Sequence, residues 1–194
     1  MNRPVLILAS SSPRRRDLLS EWRFDFEAVP AEVEEVAPRG MDPAEIVLLN
    51  ARLKSRAVSA QRPDAVVLGV DTLVAFDGHV LGKPCDMPEA ERMLERLNGR
   101  SHQVFSGVVL RSETAGWEDS FASVSTVTFH SLDAGARRRY LDRIQPLDKA
   151  GAYAAQEEST ELIAAISGLR TNVIGMPMED LVPRLASRGV FPNP

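Results

Sequence analysis

An unbroken apolar run, Val5 to Ala9, leads straight into Ser10-Ser11-Ser12-Pro13, and the chain then turns basic at Arg14-Arg15-Arg16. A short continuous apolar run is the pattern of a strand buried on both faces. Serine before proline signals a helix start, with Ser12 at the N-cap and Pro13 at the first helical position. Strand, tight serine-rich turn and helix, in that order, aim free backbone N–H groups and a positive helix end into the turn. A fold that begins this way needs a buried sheet with helices packed on it.

The rest of the chain agrees. Residues 24–29 alternate loosely as a strand, and an acidic loop follows at Glu32-Val33-Glu34-Glu35. Asp42-Pro43 opens a helix expected to run to about Gln61. Ala65 to Val70 reads as a second buried strand that ends at Asp71-Thr72. Residues 73–76 and 79–81 flank Asp77-Gly78 as a hairpin. An amphipathic helix from Pro88 to Leu97 stops at Asn98-Gly99. Residues 102–110 and 121–129 are rich in β-branched residues and are expected to pair as an antiparallel hairpin. Asp133 caps a helix to about Arg143, residues 162–166 form a strand, and Met178 to Ala186 a closing helix. The expected fold is an α/β mixed twisted sheet with flanking helices. One domain over residues 1–194 is expected, in two lobes, with a bend near residues 70–80 leaving a central cleft.

Composition matters chiefly for what it excludes. The net charge of −4 disfavours a general nucleic-acid-coating role. A single cysteine, Cys85, rules out an intrachain disulfide framework and a cysteine-rich zinc site. No stretch approaches the length of a membrane span, so no membrane partner and a cytoplasmic location are expected. His79, His102 and His130 lack metal-ligand spacing and read as structural or surface residues. Asp119 reads as a solvated loop residue, and Arg137-Arg138-Arg139 as a solvated helix face. There is no Walker A loop, no GxGxxG and no GxSxG elbow.

Three clusters have chemical promise. Ser10-Ser11-Ser12-Pro13-Arg14-Arg15 places small hydroxyl residues and planar, permanently charged forks at a helix start, as a phosphate site requires. An ordinary capped helix with a basic first turn gives the same pattern. Asp71 leaves a buried strand where α/β sheets place their sites. Read alone it caps a turn. Read with Lys54, Lys83 and Glu35 it gives carboxylates to align water or hold a divalent ion, and lysines to neutralise phosphate. The third cluster is Lys149-Ala150-Gly151-Ala152-Tyr153 with Gln156. Tyr153 suits stacking on a ligand and Gln156 suits reading a base edge, but core packing and a polar strand edge explain them equally.

Six fragments in order extend these clusters over nearly the whole chain: residues 8–15, 69–74, 82–84, 101–104, 148–153 and 172–177. In order and spacing they resemble the Maf family. That resemblance implies a nucleoside triphosphate pyrophosphatase of inosine triphosphatase-like fold, often a homodimer. It implies Asp71 as catalytic base. Ser10, Arg15, Glu35, Lys54 and Lys83 fall on substrate-handling positions, and Mg²⁺ or Mn²⁺ would be held by Glu35 and Asp71. Arg14, Thr72 and Gln156 match the subfamily that takes dTTP and UTP, against tryptophan, glutamine and glutamate in the 7-methyl-GTP subfamily. The chain departs from the family at Ala154-Ala155-Gln156-Glu157, where Gly-Ile-Gln-Gly is usual, and Glu158 adds a second acid. A 7-methyl-GTP or other non-canonical pyrophosphatase, and a non-enzymatic nucleotide-binding regulator of cell division, are the alternatives.

Overall fold

Leu6, Ile7 and Leu8 form a strand, β1 (Leu6–Leu8), buried along its whole length. In the computed structural model, which describes residues 4–38, 40–155 and 161–194, it lies inside a seven-stranded mixed sheet. β1 runs parallel to its neighbours β2 (Glu27–Ala28) and β3 (Val66–Phe76). On its far side β3 pairs antiparallel with β5 (Ser101–Ser112), which pairs with β6 (Trp117–Phe129) and then β7 (Ile163–Ser167). A short β4 (His79–Leu81) folds back on the end of β3 across Asp77-Gly78. The mixed sheet expected from sequence is therefore present.

Several boundaries differ from expectation. The segment expected at 24–29 pairs only at Glu27–Ala28, because Phe24 is buried in the core instead of joining the ladder. Residues 66–76 form one strand, not a strand followed by a hairpin arm, so Asp71 sits in mid-strand. The hairpin of β5 and β6 is longer than expected at its turn, reaching Ser112↔Trp117. Asp119 consequently lies on β6, paired with Arg184, rather than in a solvated loop. Arg137 is half-buried and bonds the Leu132 carbonyl, whereas Arg138 and Arg139 are exposed.

The helices fall on the two faces of the sheet. α2 (Pro43–Ser59) is capped by Asp42, which accepts from the Ala44 N–H. It lies on the face presenting Gly69, Asp71 and Leu73. The opposite face has two apolar cores. One packs Val66, Leu68 and Val70 against α1 (Pro13–Glu21) and α6 (Met178–Ser187). The other packs Val74 and Phe76 against α3 (Met87–Leu97) and α4 (Ala134–Arg143). Between them, at registered positions of β3 and β5, stand Thr72 and Ser106. A belt of hydroxyls thus divides the apolar surface into two halves. Asn172, on α5 (Arg170–Ile174), closes this belt: it bonds the Val104 carbonyl and the Ser125 hydroxyl.

Candidate active site

The topology of β3 makes the site. β1 accompanies β3 only to Leu8↔Leu68, and β4 takes up the same edge again at Val74↔Leu81. Among the described residues no strand pairs with that edge from Val70 to Leu73. Side chains alternate along a strand, so Asp71 points to the α2 face and Thr72 to the other. Both border the opening, a cleft of about 560 Å³. Ligand pockets commonly have volumes of this order.

Asp71 meets α2 because two glycines let the helix lie close. A Cβ on Gly69 would come within 2.2 Å of the Ala51 carbonyl oxygen, and one on Gly107 within 2.4 Å of the Val47 backbone. Gly107 is the residue registered opposite Asp71. With α2 pressed against the sheet, its buried stripe of Ile46, Val47, Asn50, Ala51, Lys54, Ser55 and Val58 delivers two polar groups to the carboxylate. The Lys54 ammonium donates to Asp71 Oδ1 at 2.7 Å, and Asn50 Nδ2 donates to Oδ2 at 3.1 Å. Lys54 also pairs with Glu35 at 2.7 Å and reaches the Val70 carbonyl, on the open edge, at 3.4 Å. Glu35 is partly exposed. Partial desolvation would raise its pKa, but Lys54, with Lys83 and Arg15 further off, outweighs this and holds it below the ordinary carboxylate range.

Arg15 enters from the opposite side. Its guanidinium donates to the Gly175 carbonyl at 3.0 Å, to Ser10 Oγ at 3.1 Å and to Thr72 Oγ1 at 3.1 Å. All three acceptors are neutral. Burial pushes the Arg15 pKa down from its ordinary value, against the charge of Asp71, which raises it. Arg15 makes no ion pair among the described residues, so this buried cation faces the cleft offset only by the more distant charges of Asp71 and Glu35. Ser10 Oγ accepts from both Arg15 and the Ser12 N–H, which leaves its own proton to donate. Ser12 stands at the N-cap as expected, yet its hydroxyl makes no capping bond. Lys83 lies exposed on the rim, with no ion pair among the described residues.

The structure thus brings Ser10, Arg14, Arg15, Glu35, Lys54, Asp71, Thr72 and Lys83 to one cleft. Gln156 lies outside the described residues. Two of these side chains are engaged within the protein. The Arg14 guanidinium is held by the Asp148 carboxylate at 3.0 Å, so it orders the segment that carries Lys149. Thr72 bonds Arg15, Ser106 Oγ and the Gly175 carbonyl, so it supports the arginine. Tyr153 borders the cleft with its ring buried, and its hydroxyl bonds His102 Nε2 at 2.8 Å. His102 is structural as expected: it packs edge-on against Phe129 and Tyr153, and burial lowers its pKa to about 4. Cys85 is exposed, and its bond to Glu89 raises its pKa, which disfavours a reactive thiolate. Sequence reasoning missed Asn50. Its signal was present: a polar residue one turn before Lys54 on the apolar stripe of a helix.

A sheet interrupted beside a buried carboxylate, with a buried arginine held by neutral acceptors across the gap, defines an α/β protein with an anion-binding cleft. The profile of the Maf-like proteins matches residues 5–188, and the chain belongs to the Maf family. It is 48% identical over 185 residues to a protein of Symbiobacterium thermophilum named dTTP/UTP pyrophosphatase, covering 95% of this chain and 94% of that protein. Relatives of the same name from Pelotomaculum thermopropionicum and Akkermansia muciniphila are 41% and 40% identical, covering 95% and 96% of this chain and 96% and 97% of those proteins. The fold resembles that of the Staphylococcus aureus Ham1 protein, with a TM-score of 0.51 at 15% identity over 94% of this chain and 98% of that one. Among the described residues no helix is long and apolar enough to cross a membrane.

Proposed function

We propose that this chain hydrolyses nucleoside triphosphates between the α and β phosphates, dTTP and UTP foremost, to the monophosphate and pyrophosphate, with Asp71 as the base. The observation that carries the reading is the pairing in one cleft of a buried carboxylate with a buried arginine whose partners are all neutral. The names of full-length relatives at 40–48% identity support the pyrimidine nucleotides.

Each residue has a task. Arg15 is fixed at three points, and it presents its charge to phosphate oxygens without having to order itself on binding. Ser10 adds a hydroxyl donor beside it. Lys83 offers a mobile cation at the rim for the leaving pyrophosphate. Asp71 keeps acceptor capacity on both oxygens beyond the bonds from Lys54 and Asn50, so it is able to orient a water and take its proton. Arg14 and Thr72 act on base preference at one remove, by fixing the 148–152 segment and Arg15, and Gln156 is assigned to the base itself.

The donor set around Lys54 suits Mg²⁺ or Mn²⁺. Glu35 and Asp71 are hard oxygen ligands that flank the same Lys54 ammonium at 2.7 Å, and magnesium characteristically takes one or two carboxylates and completes its shell with phosphate and water. When bound, the ion supplies charge neutralisation and a more acidic water.

The test is pyrophosphate release from a panel of nucleoside triphosphates with Mg²⁺ or Mn²⁺, wild type beside Asp71→Asn. Release from dTTP and UTP should exceed that from 7-methyl-GTP, and should fall about 10²–10⁴-fold in the variant. Turnover that survives in Asp71→Asn removes the base role. Binding without release from any nucleotide removes the enzymatic reading.

A further inference from the structure

We propose that Asn50 is a positioning residue that holds the base Asp71 and the Glu35-bearing segment as one unit. The inference rests on Asp71 being the base. Asn50 is 4% exposed, on the α2 stripe that presses against the sheet. Its Oδ1 accepts from the Val36 N–H at 2.9 Å, and its Nδ2 donates to the Val36 carbonyl at 3.0 Å. These two bonds clamp the backbone of the residue after Glu35. They also fix which way the amide faces, because a flip would set oxygen against carbonyl and nitrogen against N–H. The remaining amide hydrogen then has one destination, Asp71 Oδ2. A carboxylamide carries two donors, and both are now used.

Packing alone does not call for this residue. The stripe around it is apolar at Ile46, Val47 and Ala51, and a buried amide costs desolvation that a leucine would avoid. The cost is met by bonds that run to two different parts of the site. One turn further along α2, Lys54 connects the same two parts of the site through charge, by pairing with the Glu35 and Asp71 carboxylates. Asn50 adds directional bonds that set the side-chain torsion of Asp71 from the oxygen Lys54 does not hold. Without it Asp71 keeps its ion pair but loses one of two anchors, and the 35–36 segment loses its backbone tie to the helix and keeps only the Glu35–Lys54 pair. A misplaced reacting group of order 1 Å costs about 10²-fold in rate.

The variants are Asn50→Ala, which deletes the amide, and Asn50→Asp, which keeps its size and its acceptor for Val36 but turns an anion toward Asp71. The substrate is dTTP with Mg²⁺, and rates are normalised to the folded fraction from circular dichroism. Asn50→Ala should lower kcat about tenfold or more, with KM within about threefold of wild type. Asn50→Asp should lose more kcat than Asn50→Ala, although it is the closer isostere. Hydrogen exchange at the Val36 amide should speed up in Asn50→Ala. Wild-type kcat in either folded variant overturns the proposal, and so does a loss in Asn50→Ala borne by KM alone. The exchange rate does not depend on Asp71 being the base. Survival of turnover in Asp71→Asn would therefore fail that assignment separately from the clamp.

Discussion

At the scale of single residues, the site is governed by which charges are matched. Asp71 and Lys54 are buried together and satisfy each other, whereas Arg15 is buried among a carbonyl and two hydroxyls. An arginine in that position is a preformed receptor for an anion, and its planar fork is what allows three anchors at once. Arg15→Lys keeps the charge and gives up the fork. It is expected to lower kcat/KM for dTTP about 30-fold, which corresponds to about 2 kcal/mol. Steady-state kinetics decide this, and a value within threefold of wild type would show that the fork is not used. His102 makes a different prediction. Its pKa drops to about 4 in the fold, where it is buried with Nδ1 unpartnered among the described residues, from about 6.5 in the unfolded chain. The unfolded state thus binds the proton first as pH falls. The contribution of His102 to stability should be full above about pH 6.5, decline by up to about 3 kcal/mol between 6.5 and 4, and level off below. In urea unfolding at stepped pH, His102→Phe should lack this slope while being less stable at pH 7, where Tyr153 loses its partner.

At the scale of elements, the site depends on how closely α2 lies on β3 and β5. Gly107→Ala would drive a methyl group into the Val47 backbone at 2.4 Å, which no side-chain rotation relieves. Overpacking of this kind costs about 1–3 kcal/mol, and the helix must lift to accept it. Because Asn50 and Lys54 ride on α2, turnover should fall further than the loss of folded protein explains; thermal denaturation and kcat measured together test that. The same seating shows why the sequence was only partly legible. Lys54 and Asp71 were readable as a pair through their charge, and Ser10 and Arg15 through the serine–proline helix start. Asn50 was harder to read, because an uncharged amide on the apolar stripe of a helix marks a buried polar contact without naming its partner, which lies across the helix–sheet interface. The length of β3 was misread because 66–70 and 73–76 look like two strands flanking a polar turn. In the fold Asp71-Thr72 is a polar interruption inside one strand, tolerated because the edge beside it is open and the hydroxyl belt lies beneath it. Local pattern marks where polarity changes, and only the neighbouring strands decide whether that means a turn or a site.

At the scale of the whole molecule, the two apolar cores share one sheet but touch opposite ends of it, and the cleft lies over the polar belt between them. A triphosphate seated there would engage Ser10 and Arg15 beside the first core, Lys54 on α2, and Lys83 beyond β4, beside the second. It would therefore bind only when both halves are in place, and its binding energy adds to the stability of the entire fold. Ligand at about 100 times its Kd contributes about 2.7 kcal/mol. For a chain of 194 residues, at about 2–4 °C per kcal/mol, that is a rise in Tm of about 5–10 °C. An α,β-methylene analogue of dTTP, which cannot be cleaved at that bond, should produce this shift in differential scanning calorimetry. The shift should shrink in Arg15→Lys and Lys83→Ala, because each loses part of the phosphate grip, and it should shrink in high salt as Lys83 at the rim is screened. With no divalent metal present, Asp71→Asn should keep it in full, since removing a negative charge near the phosphates does not weaken their binding. An analogue that leaves the wild-type Tm unmoved at millimolar concentration would mean that the fold does not bind the nucleotide at all. A shift lost only in Asp71→Asn would make Asp71 a binding group and take away its role as base.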